Sequence, residues 1–540
     1  MSKLFERLLK KRGLDNSFLH PKYEDSGDPY LLPDMQKAIE RISEAIKKNE
    51  QILIYGDYDV DGVTASTLLE EALLLSGVPP DHISIMLPDR FADGYGMSPR
   101  LITRTKKRGT KLIITVDCGS RNHAIIEELN ILGIDTIITD HHECDAELPD
   151  AVAIINPKRQ DYTEDPYGFK KLAGVGVAFK LAQGLVQKGL IPAGQEKWLL
   201  DLVLIGTICD NMILTGENRI LGYYGVKVLA KTRRVGLKEL MAKARTKKIT
   251  AESIGFQIGP RLNAAGRLGT ADLALNLLRA KTPAEAAYLA DKLETLNTAR
   301  KVEQQAAMNE ISNRGISEDP VIVEVGNWHE GILGIIAGHL LDEYRRPVFV
   351  LTELNNEIYK GSGRSFGDFN LAAALDAVKN SIVSGGGHAG AAGVKIEKKQ
   401  IYQFREKINE YYNSLHLSNQ NDYFMSNADF DIEDVSDLSL ELLKEIKTLE
   451  PFGSGNEEPV FRLKNIDIVE VRHMGTENQH LRLDVRDRSG KIFKLLAFYA
   501  PEAWLQLTEE DHIEPFIKLT ENDFNGVCSA EGRIVDIIKL

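Results

Sequence analysis

Three short runs of β-branched and other apolar residues, at 52–55, 111–116 and 134–139, each stop abruptly at acidic or imidazole side chains. Helix-like stretches separate them, and that alternation predicts a parallel sheet with crossover helices. The first run leads into Gly56-Asp57-Tyr58-Asp59-Val60-Asp61-Gly62, the second into Asp117-Cys118-Gly119 and the third into Asp140-His141-His142. Loops at the carboxyl ends of such strands converge, so five aspartates and two histidines are expected in one crevice. That much negative charge repels itself unless a cation is present. Oxygen ligands with one or two imidazoles suit Mg²⁺ or Mn²⁺ better than metals that prefer sulfur. Each piece alone is ordinary. A DxDxDG segment looks like a calcium loop but lacks its closing glutamate, aspartates at strand ends are commonly turn residues, and paired histidines are common on surfaces. Their joint occurrence at three strand ends points to a metal centre.

The rest of the chain divides by texture. The expected architecture is α/β: a parallel-sheet domain at 46–270 after an N-terminal extension at 1–45, a connector helix at 271–315, a second α/β domain at 316–415, and an OB-like β-barrel at 416–540. The connector rests on Thr282-Pro283-Ala284-Glu285, a capping box with proline at the first helical position. Tyr288, Leu289, Leu293, Leu296, Val302, Ala306 and Ile311 follow at helical spacing, and Gly315 stops the run. At 1.5 Å per residue such a helix spans roughly 45 Å. Residues 198–209 are apolar enough for either a buried helix or a strand. Beyond Pro451 the pattern turns β, with alternation over His480–Val485, a turn at Asp487–Gly490 and a second hairpin through Glu521–Gly526. A small barrel follows from that pattern.

Bulk properties bound the partners. A net charge of -13 disfavours a protein that coats DNA through generic phosphate contacts. It does not disfavour carboxylates gathered around cations. No run approaches the roughly 18 apolar residues of a membrane span, and the charged start MSKLFERLLKKRG has no h-region, which speaks against a secretory signal. The four cysteines, Cys118, Cys144, Cys209 and Cys528, are scattered without a CxxC pair, which fits a reducing cytoplasm and no zinc knuckle.

The order DxDxDG, DCG, DHH resembles the DHH phosphoesterase superfamily, and the wording DYDVDG is similar to its RecJ family of single-strand exonucleases. The resemblance implies metal ligands at Asp59, Asp61, Asp117 and His141, with Asp57 beside them and Asp117 bridging two divalent ions, Mn²⁺ or Mg²⁺. It places His142 next to the scissile phosphate with Asp140 in the same catalytic group. The family's fourth motif ends in an aspartate, matching Asp210, although Asn211-Met212-Ile213 replaces the usual small, apolar and proline residues. Two ions of this kind hold the attacking and leaving oxygens in line.

Other segments bear on substrate. Gly361-Ser362-Gly363-Arg364-Ser365 and Gly385-Gly386-Gly387-His388 resemble the DHHA1 domain that accompanies DHH. Glycines let backbone N–H groups approach an anion, and arginine grips phosphate with two donors. The resemblance assigns Ser362 and Arg364 to a 5′-phosphate; His388 in the GGGH segment is a further substrate-binding candidate, Arg90 fits an anchor in the same grip, and Tyr95 is placed to stack on a base. Arg261 and Arg267, in GPRLNAAGRLG, match residues that reach the strand, and His329 in NWHEGILG reads as a structural or phosphate contact. Residues 231–248 carry eight basic groups and one acid, a solvated helix face or a surface that guides DNA. Leu449-Glu450-Pro451-Phe452-Gly453 resembles the start of the family's oligonucleotide-binding domain; Phe498, Trp504 and Phe524 are open as stacking or core residues.

The expected activity is therefore 5′→3′ hydrolysis of single-stranded DNA by a cytoplasmic monomer with two lobes around a cleft. A role in repair and recombination beside a helicase and a single-strand-binding protein is what the family implies. The alternatives are a phosphodiesterase for cyclic dinucleotides or short oligonucleotides, an inactive replication scaffold, and a 5′→3′ RNase. Length and the PFG segment weigh against the first, the intact acidic set against the second.

Overall fold

The computed structural model describes all residues except 95, 162–163, 418–422, 424–425 and 525. The chain forms two compact units, Met1–Gly259 together with Ser426–Leu540, and Pro260–Met425.

The first unit holds a parallel sheet of β1 (Ile52–Gly56), β2 (Ile83–Met86), β3 (Leu112–Val116), β4 (Asp135–Thr139) and β5 (Ala153–Ile155), in the order β2-β1-β3-β4-β5. The three strands anticipated from the sequence are the central ones, side by side. β1 and β3 are buried along their full length, as strands covered on both faces by crossover helices must be. The helix Val60–Leu75 is buried almost all round, packed against Gly174–Gln187 and Leu200–Cys209. Residues 200–209, left open between helix and strand, are helical because they fill this layer and not the sheet.

Residues 1–45 are less detached than an extension. Leu4, Phe5, Leu8 and Leu9 of the helix Lys3–Arg12 are part of the hydrophobic core of the C-terminal sheet. The helix Met35–Lys48 runs through residue 45 and buries Met35, Ala38, Ile39 and Ile42 beside the parallel sheet. Its amphipathic stripe needs that surface. The fully buried Arg219 clasps the same region, its guanidinium donating to the carbonyls of Phe18 (3.2 Å), Thr448 (3.1 Å) and Glu450 (2.5 Å). Burial pulls its pKa down to about 10.

The second unit contains the helix Pro283–Arg314, whose 32 residues span about 48 Å. A separate helix, Asp272–Arg279, precedes it. Thr282 caps it, accepting from Glu285 N at 3.2 Å, but the Glu285 carboxylate takes the N–H of Lys281 instead of closing the capping box on Thr282. Its buried stripe runs through Leu289, Leu293 and Ile311, while Tyr288 and Val302 are exposed. The unit's sheet has β6 (Ile322–Gly326), β7 (Val348–Asn355), β8 (Ile358–Arg364), β9 (Ser384–Gly387) and β10 (Ala391–Glu397), ordered β6-β7-β8-β10-β9 with only β6 and β7 parallel.

The C-terminal part of the first unit is a mixed seven-stranded sheet, ordered β11-β12-β16-β17-β15-β14-β13. Its strands are β11 (Phe430–Ile432), β12 (Phe461–Leu463), β13 (Asp467–Met474), β14 (His480–Arg486), β15 (Ile492–Ala497), β16 (Ile513–Phe524) and β17 (Val527–Lys539). Both anticipated hairpins are present, and Leu481, Leu483 and Val485 point into the core as their alternation required. Among the described residues, no helix is long and apolar enough to cross a membrane.

Candidate metal centre and anion grip

The carboxyl ends of β1, β3 and β4 bring their acidic and imidazole groups together. Asp59 is the N-cap of Val60–Leu75, accepting from Gly62 N at 3.0 Å. Asp61, in the first turn of that helix, is buried and accepts the backbone N–H groups of Gly174 (2.6 Å) and Val175 (2.8 Å). Asp117 follows β3 with φ 62, a left-handed conformation that aspartate tolerates better than most residues. Asp210 caps the carboxyl end of Leu200–Cys209.

His141 Nε2 lies 3.0 Å from Asp117 Oδ1, 3.6 Å from Asp210 Oδ2 and 3.8 Å from Asp61 Oδ2. Ligand atoms of Asp61, His141 and Asp210 lie within 4.8 Å of one another, and so do those of Asp57, Asp59 and Asp117, and of Asp117, His141 and His142. Two sets with no residue in common, linked by a third through Asp117 and His141, are a donor arrangement that suits two neighbouring hard cations. Asp57 Oδ1, Asp117 Oδ1 and His141 Nε2 are buried without a hydrogen-bond partner, although the last two are 3.0 Å apart. Buried polar atoms are almost always paired, so unpartnered lone pairs converging in this way fit a divalent cation.

Electrostatics agree with the geometry. Burial first, then neighbouring carboxylates, push Asp57, Asp61 and Asp117 well above the usual range. Burial and Asp59 raise Asp210 as well. Burial and the adjacent His142 push His141 down to about 3, which keeps its imidazole neutral, the form that binds metal.

Asp140, grouped with His142 by resemblance, occupies a different place. Its Oδ1 accepts from His142 Nδ1 at 2.8 Å and from the backbone of His141 at 2.7 Å and His142 at 3.1 Å, while Oδ2 accepts from Ser120 N at 3.0 Å. With its oxygens so engaged, the Asp140 carboxylate holds the His142 ring through Nδ1. Burial works against its ionisation, but the His142 contact outweighs it and holds the carboxyl below its ordinary range. Reciprocally, burial opposes protonation of His142, yet Asp140 raises its pKa overall.

The sequence reading missed the supports of this centre. Asn156 Nδ2 donates to Ser120 Oγ and to the carbonyl of His142, each at 2.9 Å. A Cβ on Gly174 would lie 2.5 Å from the Asp117 side chain, and one on Gly206 2.8 Å from Asp61 Oδ1. The glycine spacing of AGVGVA was the available signal for the first; nothing in the sequence distinguishes Asn156.

The remaining candidates scatter. Arg90 stacks over the Tyr58 ring at 5.2 Å, beside the centre, and its charge works on Asp57. Tyr95 lies outside the described residues. Arg261, expected to reach a strand, instead grips the Glu294 carboxylate with two donors and is buried. Arg267 donates to the Gly331 carbonyl at 3.0 Å, and His329 caps the same turn, accepting from Gly331 N. In the basic stretch, Arg233 lies over Trp198, Arg234 is tied to Glu71 and Asp201, and Lys248 pairs with Glu450.

The second unit offers an anion grip. Arg364 Nη1, at the end of β8, donates to Ser362 Oγ at 3.1 Å and to Gly363 O at 2.7 Å. The first turn of the helix Leu333–Tyr344 comes so close that a Cβ on Gly334 would lie 2.7 Å from Arg364 Nη2 and 3.1 Å from Ser362 Oγ. A helix N-terminus, a hydroxyl and a guanidinium together favour phosphate. The exposed His388 follows β9, its N–H on the carbonyl of Ala391, which is the cross-strand partner of Arg364.

Comparison with known proteins follows the same divisions. Residues 51–207 match the DHH family, N-terminal domain, 318–414 the DHHA1 domain and 429–536 the RecJ OB domain. The chain is 37% identical over 504 residues to the single-stranded-DNA-specific exonuclease RecJ of Bacillus subtilis, covering 91% of this chain and 62% of that protein. It thus spans less than two thirds of that relative's length. Identity to the protein of the same name from Escherichia coli is 31% over 521 residues, covering 92% of this chain and 88% of that one. The crystal structure of Thermus thermophilus RecJ in complex with Mn²⁺ superposes with a TM-score of 0.85 at 28% identity, over 100% of this chain and 76% of that one. Its Mg²⁺ complex gives 0.79 at 26% identity, over 99% and 74%.

Proposed function

This chain belongs to the RecJ family, and from that premise we propose that it is a single-strand-specific DNA exonuclease working from the 5′ end with two divalent ions, Mn²⁺ or Mg²⁺. The observation that carries the reading is the set of buried, unpartnered ligand atoms of Asp57, Asp117 and His141 from three strand ends. Asp57, Asp59 and Asp117 would seat one ion, and Asp61, His141 and Asp210 the other, with Asp117 between them. When bound, such ions neutralise the phosphate and activate water for in-line attack.

The chain's own groups do the remaining work. His142, oriented through Nδ1 by Asp140, presents its other ring nitrogen as a donor, and its raised pKa favours the protonated form that can give a hydrogen bond or a proton to the leaving oxygen. Arg90 adds positive charge at the same mouth. Ser362, Arg364, His388 and the Gly334 turn would hold the terminal 5′-phosphate, which sets polarity and makes the enzyme an exonuclease. Cytoplasmic location, a monomeric state, service in repair and recombination, and cooperation with a helicase and a single-strand-binding protein belong to the same proposal. Light scattering tests the second, and pull-down against each purified partner the last.

The decisive assay offers purified protein and Mn²⁺ a 5′-phosphorylated single strand, a 5′-blocked strand, a hairpin, short RNA and a cyclic dinucleotide. Mononucleotides released from the phosphorylated strand, and none from the Asp117→Ala variant, are expected. Preference for the cyclic substrate or the RNA would overturn the substrate; activity surviving in Asp117→Ala would overturn the metal assignment.

A further inference from the structure

Asp210 reaches the metal centre from the end of the helix Leu200–Cys209 and not from the sheet, so strand pairing does not fix the loop behind it. The helix ends on a left-handed residue. Asn211 has φ 54, its N–H donates to the carbonyl of Ile208 at 3.0 Å, and that of Met212 to the carbonyl of Thr207 at 3.1 Å. This pair of bonds is a Schellman ending, and asparagine takes the left-handed position more readily than most residues. It sets the direction in which the chain leaves Asp210, through Ile213 and Leu214, toward the next helix, Gly216–Leu229.

Two supports hold that loop, and the first comes from the C-terminal part of the chain. Leu214 N donates to the carbonyl of Ser454 at 2.7 Å, in the turn 449–456 that leads into β12. The turn and the loop are in close contact. A Cβ on Gly453 would lie 2.7 Å from Leu214 Cδ1, and one on the exposed Gly455, which has φ 71, would lie 3.1 Å from Ile213 Cβ. Asn456 gives the turn its shape. Buried, it donates from Nδ2 to the carbonyls of Leu449 and Pro451, each at 2.9 Å, and exchanges backbone bonds with Gly453 at 3.0 Å.

The second support is Asn218, fully buried in the first turn of Gly216–Leu229. Its Nδ2 donates to the carbonyl of Ile213 at 3.0 Å and to that of Lys171 at 2.6 Å. Three residues beyond Lys171, Gly174 gives Asp61 its backbone N–H. One amide therefore ties the loop behind Asp210 to the segment that holds Asp61, and these are two of the three groups in the Asp61, His141 and Asp210 set. The next residue, Arg219, donates to the carbonyls of Thr448 and Glu450, at the start of the same C-terminal turn. Two neighbouring side chains of one helix thus join the ligand loops to the turn. The set of Asp57, Asp59 and Asp117 is supported differently: Asp57 and Asp117 follow β1 and β3 directly, and Asp59 caps a helix.

We propose that Asn218 and the turn 449–456 are positioning elements for the ion seat of Asp61, His141 and Asp210, so that the C-terminal part of the chain completes one of the two seats. Groups one layer behind metal ligands set their orientation, and removing such a group costs about 10- to 100-fold in metal affinity. The inference rests on the two-ion reading, and it adds what fixes one seat and not the other.

The test is calorimetric titration of the whole, metal-free chain with Mn²⁺ alone. Asn218→Ala should weaken one of two ions about tenfold or more and leave the other nearly unchanged. Gly455→Ala, at an exposed position where a methyl group crowds Ile213, should weaken the same ion by a smaller factor, and it decides the matter alone if Asn218→Ala does not fold. Added to Asp210→Ala, Asn218→Ala should change nothing further, because residues that serve one seat are not additive. Asp487→Ala is the control: this buried carboxylate accepts the N–H groups of Val435, Ser489 and Lys491 in the same sheet, so its loss should lower the melting temperature without moving either Mn²⁺ affinity. Unchanged affinities in Asn218→Ala and Gly455→Ala overturn the proposal, as does an equal loss at both ions or a loss in Asp487→Ala. Failure of the native chain to cleave a single strand is a separate readout and bears on the substrate alone.

Discussion

At the metal centre Asp61 and Asp117 are 1% and 2% exposed, and burial together with neighbouring carboxylates drives both pKa values upward. On the outer face of the C-terminal sheet, Arg482 and Asp484 keep 24% and 15% exposure and satisfy each other at 2.8 Å. Both regions are dense in charge, yet in one the buried carboxylates resist ionisation and in the other each charge has a partner. Like charges in a low-dielectric pocket take up protons or a compensating cation. Charges at a wet surface need no such partner and exchange their counter-ions freely. The two regions therefore leave different marks: raised pKa values and unpartnered atoms in the first, closed ion pairs in the second.

The sharpest way to break that contrast is to remove the compensating charge. Chelation, or Asp117→Ala, should lower turnover of a 5′-phosphorylated strand by about a thousandfold or more, because the charge developing in the transition state loses its stabilisation. Comparable turnover in chelator would place the chemistry elsewhere. One layer back, Asp140→Asn should cost about 10- to 100-fold in turnover. A matched loss in Mn²⁺ affinity would mean that Asp140 supports the ligands and not His142.

A smaller effect is expected in the second unit. Gly334→Ala pushes a methyl group toward Arg364 Nη2 and should raise KM for 5′-phosphorylated strands about tenfold, the worth of one charge-assisted hydrogen bond. An equal rise for 5′-hydroxyl strands would detach this turn from the phosphate. In stability, Mn²⁺ at a hundred times its Kd should raise the unfolding free energy by about 2.7 kcal/mol, and Asp117→Asn should abolish that increment, as thermal melts with and without metal would show. The least effect belongs to the outer sheet face: Arg482→Ala removes a two-donor grip on the half-buried Asp484 and should cost about 1 kcal/mol; no shift in a denaturant titration would mean the pair adds nothing to stability.

Much of this was legible along the chain because the chemistry is local to strand ends. Once 52–55, 111–116 and 134–139 are strands of one parallel sheet, Asp57, Asp117 and His141 have nowhere else to point. The strands missed, β2 and β5, are the four- and three-residue edges, too short for periodicity to register. The surroundings of Arg261 were not legible for a physical reason: a sequence does not show that Glu294, 33 positions on, answers its guanidinium.

The sequence by itself determined the kind of sheet, the acidic set at its carboxyl edge and the alternation that turns Leu481, Leu483 and Val485 inward, since periodicity and strand-end chemistry are properties of neighbouring residues. Only the tertiary structure decided which carboxylate keeps an unpartnered oxygen and which is taken up by donors, because Asp140 differs from Asp117 in its surroundings and not in its residue type. It alone also aligned Arg472, Arg482, Arg533 and Lys518: cross-strand register joins residues far apart in the chain, and no short-range pattern encodes it.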